Sequence, residues 1–182
     1  MKKLLIFLGL LLLLISPFVA YGSWVFTGGA GLTCTVGAGT LTFTETSDDY
    51  QPIYNAADDY QEVDNNVGTI TICKVVIDEM YTTDGSATFK ITIRDSGGTP
   101  VANGESGTET TTVATAGETL TFEFSTNPVV SGDFQILIDD AAGDGGYVRT
   151  DTSNSYTSNY DYFANGALQS TSGISFTIWY MQ

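Results

Sequence analysis

Phe89-Lys90-Ile91-Thr92-Ile93-Arg94 alternates apolar and polar residues without a slip. Successive side chains of a strand point to opposite faces, so this pattern lays Phe89, Ile91 and Ile93 on one face and Lys90, Thr92 and Arg94 on the other. The same period runs through Leu120-Thr121-Phe122-Glu123-Phe124, and through Phe134, Ile136 and Ile138 against Gln135 and Asp139. It returns in Ile174, Phe176, Ile178 and Tyr180 against Ser175 and Thr177. Half-buried antiparallel strands read this way, and no comparable stretch shows a helical period.

The segment 69–77 is longer and changes phase. Ile70 and Ile72 fall on one face, whereas Cys73, Val75 and Ile77 fall on the other, which predicts a bulge or a strand buried on both faces. Shorter strands are expected at 24–26, 32–36, 41–44, 108–113 and 147–149. Asp84-Gly85 fits a hairpin between the long strand and the Phe89 strand, and Ser96-Gly97-Gly98-Thr99-Pro100 ends the latter. Asn103-Gly104, Ala116-Gly117 and Asn127-Pro128 mark further loops. About nine to eleven strands at this spacing predict an all-β fold, a two-sheet antiparallel jelly-roll-like β-sandwich. An up-and-down barrel is the alternative; an immunoglobulin-like sandwich lacks its Cys…Trp…Cys arrangement here. Asp48-Asp49-Tyr50-Gln51 recurs as Asp58-Asp59-Tyr60-Gln61, an echo too short for a solenoid.

The order Gly68-Thr69-Ile70-Thr71-Ile72, Phe89-Lys90-Ile91-Thr92-Ile93, Gly97-Gly98-Thr99-Pro100 resembles a broad group of secreted jelly-roll modules. The stretch from Leu120 to Phe124, then Asn127-Pro128, Phe134 to Leu137 and a Tyr-rich loop before a final strand continue the resemblance to the C-terminus. Such modules are similar to carbohydrate-binding and galactose-binding-like domains of bacterial and phage surface proteins. The resemblance implies a sandwich that binds glycan without catalysis, although fold analogy does not by itself fix function.

The N-terminus predicts export. Lys2 and Lys3 precede an apolar run from Leu4 to Ile15, which Ser16-Pro17 breaks, with small residues at Ala20 and Gly22. This is the layout of a secretory signal peptide, and the run is short for a membrane span of about 20 residues. Cleavage is expected after Gly22, with Ala20 as the second site. That leaves a signal peptide over 1–22, one sandwich domain over 23–182, and a secreted or cell-surface protein. Beyond the signal peptide, no membrane segment is expected.

Cleavage leaves Lys74, Lys90, Arg94 and Arg149 against 21 acidic residues, a net charge of −17. A surface so negative repels nucleic acid and anionic membranes, which need a basic footprint. The chain has no histidine, which removes His-based triads and His-containing zinc sites. Cys34 and Cys73 are the only cysteines and form a candidate disulfide in an exported chain, with two buried thiols as the alternative.

Two segments carry candidate chemistry. Asp139, Asp140 and Asp144, on the Gly-rich run Asp139-Asp140-Ala141-Ala142-Gly143-Asp144-Gly145-Gly146, are candidate ligands for a structural Ca2+, with Asp151 joining if the next strand folds back. The spacing is not that of an EF-hand, and a solvated Asp/Gly turn reads equally from it. Tyr147, Tyr156, Asn159, Tyr160, Asp161 and Tyr162 are candidate ligand-binding residues, because tyrosines among short polar side chains offer an apolar ring face beside hydrogen-bonding groups. The other reading closes one end of the core with these rings. Trp179 lies off the Ile178 face and is expected on the outer sheet surface.

A glycosidase needs two carboxylates facing each other about 5–10 Å apart, and no such pair can be placed. Glu123 is the one glutamate on a well-patterned strand. The expectation is therefore a non-catalytic exported module whose partner is a glycan or cell-surface polymer. The alternative is a self-associating structural subunit of an extracellular filament, surface layer or virion appendage, joined through sheet edges.

Overall fold

The computed structural model describes residues 25–27, 33–35, 39–43, 49–53, 59–114, 116–143, 145–150, 162–169 and 173–182. These residues hold sixteen strands and no helix. One sheet is built around the fourteen-residue strand β6 (Thr69–Thr82). Along one edge of it pair β10 (Glu118–Glu123) and β11 (Val129–Ser131). Along the other pair β16 (Phe176–Met181) and β13 (Gly146–Thr150), flanked by β3 (Gly39–Phe43) and β4 (Asp49–Pro52). The second sheet runs in the order β15 (Ala167–Gln169), β14 (Tyr162–Ala164), β5 (Asp59–Val63), β12 (Phe134–Asp140), β7 (Ala87–Asp95). Both β8 (Pro100–Glu105) and β9 (Glu109–Thr111) then pair with the far edge of β7. A separate ribbon joins β1 (Val25–Thr27) to β2 (Thr33–Thr35).

Every pairing is antiparallel, and the two sheets pack face to face. From β5 onward the chain changes sheet at nearly every connection, so neighbours in sequence face each other across the core. The core is the apolar phase of the alternation. Ile70, Ile72, Val75, Ile77, Phe122, Phe176 and Ile178 from the first sheet meet Phe89, Ile91, Ile93, Phe134, Ile136 and Ile138 from the second. Each such side chain contributes roughly 1.5–3 kcal/mol when fully buried.

The phase change in β6 is a bulge. On β16, Trp179 pairs with Lys74 and Tyr180 with Ile72, leaving Cys73 as the extra residue. The bulge returns Val75 and Ile77 to the core side already held by Ile70 and Ile72. A second offset follows, where Leu120 pairs with Ile77 but Glu118 with Met80. There Glu79 takes φ 56°, and Gly117 packs so tightly that a Cβ on it would lie 2.6 Å from the Glu79 Cα. Cys73 carries no free thiol, and Cys34 lies on β2.

Three expectations change. Asp84-Gly85 does not close a hairpin, because β6 and β7 belong to different sheets. It turns a corner between sheets, with the Asp84 amide donating to Thr82 Oγ1 at 3.1 Å and Gly85 at φ 92°. Asn103-Gly104 lies inside β8 instead of in a loop, where it makes the register slip against β7. The two Asp-Tyr-Gln echoes form β4 and β5, one strand in each sheet.

Candidate functional site

Alternation assigns the outward face of the second sheet as firmly as the core. While Asp59, Gln61 and Val63 point inward from β5, Tyr60 and Glu62 point outward. On β12 the outward residues are Gln135, Leu137 and Asp139; on β7 they are Lys90, Thr92 and Arg94. Register then sets two rows across the strands. One row is Phe163, Tyr60, Leu137 and Thr92; the next is Glu62, Gln135 and Arg94.

The rows are joined by a stack. Phe163 and Tyr60 lie ring on ring at 4.4 Å and 8°, and the Arg94 guanidinium sits 4.7 Å from the Tyr60 centroid. Arg94 thus reaches diagonally over β12 from β7. A stacked ring pair and a cation–π contact each contribute on the order of 1 kcal/mol. The outward residues Arg94 and Gln135 are only 8% and 5% exposed, so this face is packed like a binding surface and not like a solvated one. With Phe163 on one side of Tyr60 and Arg94 on the other, Tyr60 presents its edge and Phe163 presents its outer ring face.

Past Glu62 and Gln135 the face ends in a cavity of about 170 Å³, lined by Glu62, Val63, Asp64, Ser96, Asp133, Phe134 and Gln135. Its floor is set by the β7–β8 turn, where Asp95 Oδ1 accepts from the amides of Gly97 at 3.0 Å and Thr99 at 2.8 Å. From the opposite wall, Asp133 Oδ1 accepts from the Asn65 amide at 3.0 Å. Gln135 Nε2 donates at 3.5 Å to both Glu62 Oε1 and the Ser96 carbonyl, long bonds for an amide. Gln135 Oε1 is buried with no hydrogen-bond partner.

The basic residues of the strands are all engaged on the outer faces. Lys74 Nζ sits 5.0 Å over the Trp179 ring, Lys90 is 4.0 Å from Glu105, and Arg149 is 3.3 Å from Glu79. With Arg94 over Tyr60, the described surface has no basic patch to set against its carboxylates. Trp179 is half-buried on the outer face of the first sheet, as its position in the pattern implied.

The candidates chosen from sequence separate. Strand alternation puts Asp139 on the outward face of β12 and Asp140 on the inward one, so the two do not share a site. Asp140 is 1% exposed and ties the following loop: Oδ1 accepts from the Gly143 amide at 2.9 Å, and Oδ2 from Gly145 at 3.1 Å and Gly146 at 3.0 Å. No group of three acidic or thiol side chains among the described residues is arranged to hold a metal ion. Asp144 and Asp151 lie outside the described residues.

Tyr147 stacks on Tyr81 at 5.0 Å on the outer face of the first sheet, away from the Tyr60 stack. Tyr162 turns inward from β14 and is fully buried, so it belongs to the core and not to a ligand-facing loop. Burial first, and the Asp59 carboxylate second, push its hydroxyl well above the usual phenol range. Tyr156, Asn159, Tyr160 and Asp161 lie outside the described residues. Sequence reasoning missed Tyr60, Arg94, Gln135 and Glu62 as one face, because their meeting depends on strand order.

No family model matches the chain, and no curated protein matches it. Among solved structures, a chain of the T13 IBDV viral particle is similar over 87% of this chain and 40% of its own length, at 13% identity and a TM-score of 0.18. The match spans well under half of that viral chain, and a likeness of that size carries no argument about fold or function.

Proposed function

We propose that this protein is a non-catalytic, exported glycan-binding module that uses the outward face of β5, β12, β7 and β14. The observation that carries the reading is the Phe163–Tyr60–Arg94 stack beside the Glu62–Gln135 pair. A pyranose has an apolar face that packs on a ring and hydroxyls that need donors and acceptors around it. Phe163 supplies the ring, while Arg94, Glu62 and Gln135 supply the polar groups. From Tyr60 to Asp64 the strand extends roughly 13 Å, a length that suits an oligosaccharide rather than a single sugar. Engagement of the strand cations within the protein weighs against an anionic polymer as partner.

Glycan-array binding tests this. The purified protein is expected to retain an oligosaccharide that Phe163→Ala loses by about tenfold in affinity, equivalent to about 1.4 kcal/mol. An unchanged affinity in that variant would remove the face from the account. The same reading includes a Cys34–Cys73 bridge, supported by the absence of a free thiol at Cys73. Intact mass before and after reduction should differ by two hydrogens.

A second reading, self-association through sheet edges, draws on β15. It is the outermost strand of the second sheet among the described residues, and its Leu168 is 49% exposed. Sedimentation of the purified protein would show large assemblies under that reading and a monomer under the first.

A further inference from the structure

We propose that the cavity at the end of this face, walled by Glu62, Asp64, Ser96, Asp133 and Gln135, selects a protonated primary amine, so that the glycan recognised carries amino sugars. The inference rests on the glycan-binding reading of the same face and adds the substrate class to it.

Size comes first. At about 170 Å³ the cavity exceeds the ~30 Å³ share of one water and falls short of the 300–1,000 Å³ of a pocket that encloses a whole ligand. It takes one functional group of something larger that lies along the face.

Chemistry decides which group. The wall holds three carboxylates and no basic residue. The nearest cation on the face, Arg94, is committed to the Tyr60 ring. Gln135 adds a second and independent indication. It is 5% exposed, yet its Oε1 has no hydrogen-bond partner and its Nε2 makes only two bonds of 3.5 Å. A buried acceptor left unmade costs about 1–3 kcal/mol, which a donor entering the cavity would recover. An ammonium brings three donors, no acceptor and a positive charge, and so matches a wall of acceptors. A hydroxyl brings an acceptor too, for which the wall offers little beyond the weakly held Gln135 amide.

A metal ion fits less well. Calcium needs six to eight oxygens converging at 2.3–2.6 Å, and no three carboxylates among the described residues are grouped that way. The carboxylates instead stand around a cavity on different segments: β5 and the residue after it, and the residue before β12. Such a spread suits a group that enters on a tether.

Titration calorimetry with a glucosamine trisaccharide, its fully N-acetylated counterpart and tri-lysine separates the outcomes, at one ionic strength near 0.15 M. The amino trisaccharide should bind at least about tenfold tighter than the acetylated one. That advantage should disappear in Glu62→Gln and in Asp64→Asn, and persist in Glu118→Gln, which removes a charge elsewhere on the surface. Equal binding of the two sugars would overturn the amine pocket while leaving the glycan face standing. Binding of neither sugar would overturn both. Tri-lysine binding that depends on Asp64 without sugar binding would keep the amine pocket and overturn the glycan reading. An advantage that Glu118→Gln removes as much as Asp64→Asn does would reduce the effect to bulk charge and overturn the pocket.

Discussion

Replacing Asp140 with alanine removes the acceptor for three amide donors at 2.9, 3.1 and 3.0 Å. Hydrogen bonds to a charged group contribute roughly 1.5–3 kcal/mol each, but the three share one carboxylate and do not add. Gly143 is exposed and Gly145 half-exposed, so their amides can turn to water. The Gly146 amide is buried and would be orphaned beside Phe89, whose ring sits so close that a Cβ at Gly146 would reach 2.3 Å from it. The expected loss is about 3–4 kcal/mol, which for a chain of this size lowers Tm by roughly 10 °C. Asp140→Asn should cost about half as much. Its remaining oxygen can serve Gly145 and Gly146 while its amide faces the solvent-accessible Gly143 N–H. Urea unfolding monitored by tryptophan fluorescence and by circular dichroism measures both variants. An alanine variant within about 0.5 kcal/mol of the parent would refute the staple. Because the staple is made of amides, a chelator should leave Tm unchanged; a fall of several degrees would return a calcium ion to the Asp139–Asp151 segment.

Tyr162→Phe should stabilise the protein by about 1 kcal/mol, because a buried hydroxyl without a hydrogen-bond partner is removed; destabilisation of that size would mean the hydroxyl is bonded. The same hydroxyl gives an alkaline signature. Its ionisation is raised in the fold, so its contribution is complete below about pH 10 and lost as pH climbs beyond it. The Phe variant should lack that decline. Glu109 is raised by partial burial and then by Glu123. Protonation is thus favoured in the folded state, and the penalty exists above the raised value and fades as pH falls through it. Glu123→Gln should therefore raise Tm slightly at pH 7 and not below about pH 4; an equal gain at both would assign it to something other than charge.

The architecture was legible because it depends on period two. Phe89 to Arg94, Leu120 to Phe124 and Phe134 to Ile138 fall on β7, β10 and β12 with their apolar residues inward. The phase change around Cys73 also appeared as the bulge it suggested. What escaped was pairing. Asp84-Gly85 looks like a hairpin whether the next strand stays in the sheet or crosses to the other, and only the core decides. The short β14 was hidden in a Tyr-rich run, although Asn165-Gly166, with φ 51° and 71°, is a strong local hairpin signal. Reading it would have shown that Tyr162 and Phe163 face opposite ways. The candidate site was less legible still. Tyr60 and Arg94 stand 34 positions apart, and they meet because β12 lies between β5 and β7 with Gln135 under the reach of Arg94.

The central claim is that the outward face of the second sheet binds glycan. Titrating a bound oligosaccharide into ¹⁵N-labelled protein tests it most directly. The account predicts amide shifts clustered at Tyr60, Glu62, Arg94, Gln135 and Phe163, with the Tyr81–Tyr147 pair on the other sheet unmoved. Shifts confined to the Tyr81–Tyr147 side, or no shifts with any glycan, would contradict it.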